Sequence, residues 1–141
     1  MRIFDATLKT LEQALDVRLV EQNVLAGNVA NADTPGYKPK ELDFGAAMRA
    51  AHAEAGGDVM ATTEAGHMGP NGATAGGTSV GDIATSMIVE GKGTSPSFDG
   101  NGVDLDRTMA GMAENGLQYG ASAKAAGKKL GILRYAIDGG G

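Results

Sequence analysis

From Leu105 to Ile137 a small or apolar residue recurs at alternating steps of four and three, through Met109, Met112, Gly116, Tyr119, Ala123, Ala126, Leu130 and Leu133. Only a helix returns side chains to one face at that period, and a stripe this long calls for a partner along its length. A second stripe lies at the other end of the chain. Phe4, Leu8, Leu11, Leu15, Leu25, Val29 and Ala32 share one face of a predicted helix over Asp5–Ala32, a run of about 28 residues and about 42 Å. Arg18 and Gln22 stand at the two places where that stripe should continue. Polar residues there fix register, face a third partner, or mark a local end to the buried contact. Val17, Val20 and Val24 lie on a second face, which lets the helix touch more than one neighbour. The expected fold is therefore mostly α: long N- and C-terminal helices pairing as a coiled-coil-like core, with a Gly-rich irregular middle.

The first helix ends in Asn28-Val29-Ala30-Asn31-Ala32-Asp33-Thr34-Pro35-Gly36-Tyr37. Pro35 drives Thr34 out of the helical region, and Pro35-Gly36 suits a tight turn with positive φ at the glycine. Asn28 and Asn31 are three apart, so their amides share the last helical turn. Beyond the turn, Lys38–Phe44 reads as extended because Pro39 excludes a helix interior. Ala46–Ala55 reads as a short helix stopped by Gly56-Gly57, and 56–102 as a flexible loop or weakly packed insertion with one possible strand near Ser86–Glu90. Asp104 is the expected N-cap of the last helix, Asp106 suits its first turn, and Lys128, Lys129 and Arg134 suit its C-terminal end. The organisation expected is 1–35 as the N-terminal core helix and its corner, 36–102 as the middle segment, and 103–141 as the C-terminal core helix. Gly111, Gly116, Gly120, Gly127 and Gly131 interrupt that helix, weakening it in isolation by about 5 kcal/mol relative to alanine. Packing against neighbours has to offset this.

Composition narrows the function. Aromatics are 4% of the 141 residues, Trp is absent and 23 residues are Gly, so the apolar side chains suit a long narrow seam better than a broad core. The formal charge of −5 argues against a nucleic-acid partner. Without Cys there is no disulfide, thiolate nucleophile or thiolate metal site. Asp5, Lys9, Glu12 and Asp16 break any apolar run at the start, so no cleaved secretory signal is expected, and no stretch is long and apolar enough to span a bilayer. His52 and His67 lack the spacing that places two ligands on one helix face. Gly91-Lys92-Gly93-Thr94-Ser95 fails as a phosphate loop because Gly93 follows the lysine and Ser86 replaces the leading glycine. Asp99–Asp104 fails as a calcium loop because Asp104 and Ala110 occupy the positions that need Gly and Glu. No catalytic, cofactor or metal site is expected.

The two end helices and the Gly-rich middle resemble the axial proteins of the bacterial flagellum. Asn28-x-Ala30-Asn31-x-x-Thr34-Pro35-Gly36-Tyr37 is similar to the N-terminal signature of flagellar rod and hook proteins. Asp33 and Leu42-Asp43-Phe44 narrow the resemblance to the B-type basal body rod family. Ser97–Asp106, including Asn101, Val103, Asp104 and Leu105, resembles that family's entry into its last helix, continued by Met109, Met112, Asn115, Leu117 and Tyr119. Thr63 and His67-Met68 echo a patch in its middle. Arg107-Thr108, Gly116 and Gly120 depart from the pattern. The resemblance implies a non-enzymatic subunit, exported uncleaved by the flagellar type III apparatus and polymerising helically into the proximal rod, the drive shaft across the periplasm. Its implied partners are further copies of itself, other rod proteins, the adaptor joining rod to MS ring, and the export gate. The alternatives are a C-type rod subunit or a soluble coiled-coil adaptor.

Overall fold

The computed structural model describes residues 6–56, 79–91 and 100–139. Phe4, Thr63, His67, Met68, Lys92 and 97–99 lie outside them.

Two long antiparallel helices carry the fold: α1, Ala6–Ala30, and α4, Leu105–Ile137. Between them come β1 (Lys40–Leu42), α2 (Phe44–Gly56), α3 (Val80–Ser86) and β2 (Ile88–Glu90). At 25 and 33 residues, α1 and α4 extend about 37 and 50 Å. Their boundaries follow local chemistry. Asp104 caps α4 by accepting the Arg107 amide at 3.0 Å, and Asp43 does the same for α2 with the Ala46 amide at 2.8 Å.

The buried apolar core lies on the valine face of α1 rather than along its leucine stripe. Val17 is fully buried with Ala47 and Ala84, and Val20, Leu42, Phe44, Met48, Val80 and Met87 close around them. The small side chains of α2 let that helix approach α1 closely. Gln13 adds a polar strut, its Nε2 donating to the Ala51 carbonyl at 2.9 Å.

The middle of the chain needs one correction. Residues 79–91 are not loosely packed: α3 buries Ile83 and Ala84, and the strand expected near Ser86–Glu90 is present as β2, paired antiparallel with β1 in the register Lys40↔Glu90, Glu41↔Val89, Leu42↔Ile88. The ladder is extended by Gly91 N–H donating to the Pro39 carbonyl at 2.8 Å. A β-carbon at Gly91 would stand 2.8 Å from Glu41 Cγ, so a larger residue there would have to turn the Glu41 side chain aside. Ser79 caps α3, its hydroxyl accepting the Asp82 amide at 3.1 Å and donating to the Asp82 carboxylate at 2.8 Å.

Candidate functional site: the corner and the helix seam

The corner is held by three asparagine side chains acting on main chain. Gly36 has φ +70° between Pro35 and Tyr37, and the Tyr37 amide donates to the Thr34 carbonyl at 3.2 Å, the turn that Pro-Gly predicts. Asn28 is buried below it. Its Nδ2 donates to the Lys40 carbonyl at 2.7 Å and its Oδ1 accepts the Lys40 amide at 2.9 Å, so one side chain imitates a strand neighbour. Tyr37 Oη donates to the same Oδ1 at 3.3 Å. Asn31 Nδ2 turns back to the Gly27 carbonyl at 2.8 Å, and Thr34 Oγ1 reaches Asn31 Oδ1 at 3.3 Å.

Asn101 closes the corner from the far end of the chain. Its Nδ2 donates among the carbonyls of Asn31 (3.2 Å), Ala32 and Thr34 (3.1 Å), just past the end of α1, where Asn31 and Thr34 also accept the turn amides of Thr34 and Tyr37. Its Oδ1 accepts the Val103 amide at 2.8 Å, and Gly102 N–H donates to the Tyr37 carbonyl at 3.1 Å. The second positive-φ glycine, Gly100 at +76°, faces the first: a β-carbon on it would lie 3.6 Å from Gly36 Cα. Pro35, Gly36, Thr34 and Ala30 remain exposed on the outer rim.

About two and three turns along α1 from Asn28, the polar gap in its stripe is filled. Asn115, 4% exposed, donates from Nδ2 to the Arg18 carbonyl at 3.0 Å and to Gln22 Oε1 at 2.9 Å. Arg18 Nη1 returns a bond to Asn115 Oδ1 at 3.1 Å and pairs with Glu21 at 3.3 Å. The Arg18 guanidinium carbon also lies 4.3 Å from the centre of the Phe44 ring, a cation–π contact that ties α2 to the seam. Glu21 lines a groove of about 270 Å³ with Val24, Leu25, Leu42, Arg107 and Gly111. Burial raises its carboxyl above the ordinary 4.5; Arg18 opposes that and Glu114 adds to it.

The seam face of α4 is small and polar, and most of its apolar stripe points elsewhere. Thr108 and Asn115 are buried, Gly111 lies against Leu25 of α1, and Met112 is half-buried. By contrast Leu105, Met109, Leu117, Tyr119, Leu130, Ile132, Tyr135 and Ile137 are exposed, Leu117 by 77% and Ile137 by 74%. The α1 stripe does meet α4, with Leu8, Leu11, Leu15 and Leu25 half-buried. Thus the helices pair, but the pairing leaves a long apolar surface on the outside of α4.

The sequence motifs therefore resolve into two groups. Asn28, Asn31, Thr34, Gly36, Tyr37, Asn101, Val103 and Asp104 come together at the corner, while Asp43 and Phe44 start α2 beside Arg18 and Asn115. Leu105, Met109 and Tyr119 join neither group. Arg18 and Gln22 were visible as polar intruders in a stripe. Thr108, whose hydroxyl bonds the Asp104 carbonyl at 2.6 Å, and Gln13 carried no signal. Among the described residues no group of three or more His, Asp or Glu could hold a metal ion, and no helix is long and apolar enough to cross a membrane.

The structure thus pairs a corner that locks two helix ends together with an exposed apolar helix face. Residues 8–38 match the family model for flagella basal body rod proteins. The chain is 31% identical over 140 residues to the flagellar basal body rod protein FlgB of Salmonella typhimurium, covering 96% of both chains. It is 34% identical over 126 residues to that of Escherichia coli, covering 86% of this chain and 85% of the other. With the Cereibacter sphaeroides protein of the same name it shares 35% over 127 residues, 90% of each. The chain belongs to the family of flagellar basal body rod protein FlgB.

Proposed function

We propose that this subunit polymerises helically in the proximal rod of the flagellar basal body and helps transmit motor torque across the periplasm. The observation that carries the reading is the exposed apolar row on α4, from Leu105 and Met109 through Tyr119 to Ile137. A surface of this extent needs a protein neighbour. In the rod those neighbours are other copies of this chain, other rod proteins, and the adaptor that joins the rod to the MS ring and export gate. The corner residues serve the same end by fixing the angle at which the middle segment leaves the helix pair. Flagellar type III export without cleavage fits a chain lacking disulfides and assembled from elements with a thin core. The protein does structural work in the basal body and no chemistry.

Cysteine scanning suits a protein that contains none. Cysteines placed at Leu117 and Ile132 should crosslink between subunits in purified basal bodies. Deletion should abolish rod, filament and swimming, and complementation should restore them. Normal swimming by the deletion strain, or crosslinks formed only within one chain, would overturn the proposal.

A further inference from the structure

Asn101 is followed by glycine, and its side-chain amide holds the exit of α1 from 67 positions further along the chain. An asparagine before glycine is the pair most open to spontaneous deamidation, because no β-carbon hinders the approach of the next main-chain nitrogen. We propose that Asn101 is a deamidation site that folding holds closed, and that conversion of this amide to an acid unlocks the corner.

The reaction balances without a cofactor. Gly102 nitrogen attacks Asn101 Cγ; the new N–Cγ bond forms as the Cγ–Nδ2 bond breaks, and Nδ2 leaves as ammonia with the proton from Gly102. Water then opens the cyclic imide at either carbonyl, giving aspartate or its isomer with the main chain routed through the side chain.

Three features of the folded corner oppose the first step. Gly102 N–H is committed to the Tyr37 carbonyl at 3.1 Å. Asn101 Oδ1 and Nδ2 are both engaged, so the side chain must leave its partners before Cγ can turn towards Gly102. Only 6% of the residue is exposed, which limits access for the water of the second step. An unfolded chain lacks all three. Folding and reaction therefore compete for the same amide.

The product is worse than a simple loss. Nδ2 is a donor among three carbonyls at the negative end of α1. A carboxylate there keeps an acceptor for the Val103 amide but presents acceptor to acceptor at the three carbonyls and charge to an unfavourable dipole, whereas alanine gives up both the donor and the Val103 acceptor without adding charge. Aspartate should therefore destabilise more than alanine, and acidification should narrow the gap, since a protonated carboxyl can donate again.

Peptide mass mapping of the full chain, incubated at mildly alkaline pH with and without urea, tests the first half. Asn101 should gain the mass of amide-to-acid conversion in urea and do so about tenfold or more slowly when folded. Equal rates in both conditions would overturn the protection. For the second half, Asn101→Asp and Asn101→Ala are compared by thermal midpoint at neutral and acid pH. The expected order is parent, alanine, aspartate at neutral pH, with aspartate rising towards alanine in acid. Aspartate equal to or more stable than alanine at neutral pH would overturn the claim. Should Asn101→Asp fail to fold at neutral pH while refolding in acid, the acid-dependent recovery supports it; failure at both pH values while Asn101→Ala folds would count against it.

Discussion

Asn115 and Arg18, 97 positions apart in the chain, are each other's partners twice over: Arg18 Nη1 donates to Asn115 Oδ1 at 3.1 Å, and Asn115 Nδ2 donates to the Arg18 carbonyl at 3.0 Å. This reciprocal pair, with Gln22 as a third member, sets the register of α4 on α1. A slide of one turn would bury the Asn115 amide without partners, and the cost of such unmet bonds makes the register unique. Asn115→Ala should lower the stability of the isolated subunit by about 1–3 kcal/mol, read as a fall in denaturant midpoint at unchanged m-value. A double-mutant cycle with Gln22→Ala should give a coupling of about 0.5 kcal/mol or more. Strict additivity would separate the two residues energetically.

Gly36 tests the corner through its backbone alone. A β-carbon there meets nothing within 4 Å, so the main burden of Gly36→Val is to hold φ at +70°. For a β-branched residue that costs about 1–3 kcal/mol. In cells we expect secretion near the parental level and assembly clearly reduced, with Gly36→Asn milder than valine. Parental assembly by the valine variant would remove the corner from any role in the rod.

Gly127 tests the exposed side of α4. A β-carbon there also meets nothing within 4 Å in the subunit. Gly127→Ala should therefore stabilise the free subunit by about 0.5–1 kcal/mol, visible as a higher thermal midpoint. On the proposed packing of α4 against a rod neighbour, motility in complementation should fall nonetheless, since glycine permits a closer approach than alanine.

Glu21 gives the pH response its sign. Its folded carboxyl titrates above the ordinary 4.5 because burial outweighs the attraction of Arg18. As pH rises from 4.5 the unfolded chain releases this proton first, so the folded state holds more protons and loses stability through that window. Glu21→Gln removes the response. The variant should gain stability relative to the parent between about pH 4 and pH 7, measured as the difference in thermal midpoints; a constant difference would show that Glu21 does not couple to folding.

The sequence by itself determined the two long helices, the glycine of the turn and the Asp104 cap, because each rests on contacts within a few residues, while α1 stops at Ala30, two residues before the Ala32 expected from Pro35. It also marked Arg18 and Gln22 as misfits in a stripe without naming what they meet. Only the tertiary structure decided that Asn115 answers them, that Asn101 holds the carbonyls at the end of α1, and that 79–91 folds onto the valine face as α3 and β2. Those contacts join residues 67 to 97 positions apart or depend on strand register, which no local period encodes. The tertiary structure decided, too, which row of α4 faces inward. Amide geometry and the small radius of Gly111 set that rotation, leaving much of the apolar stripe outside.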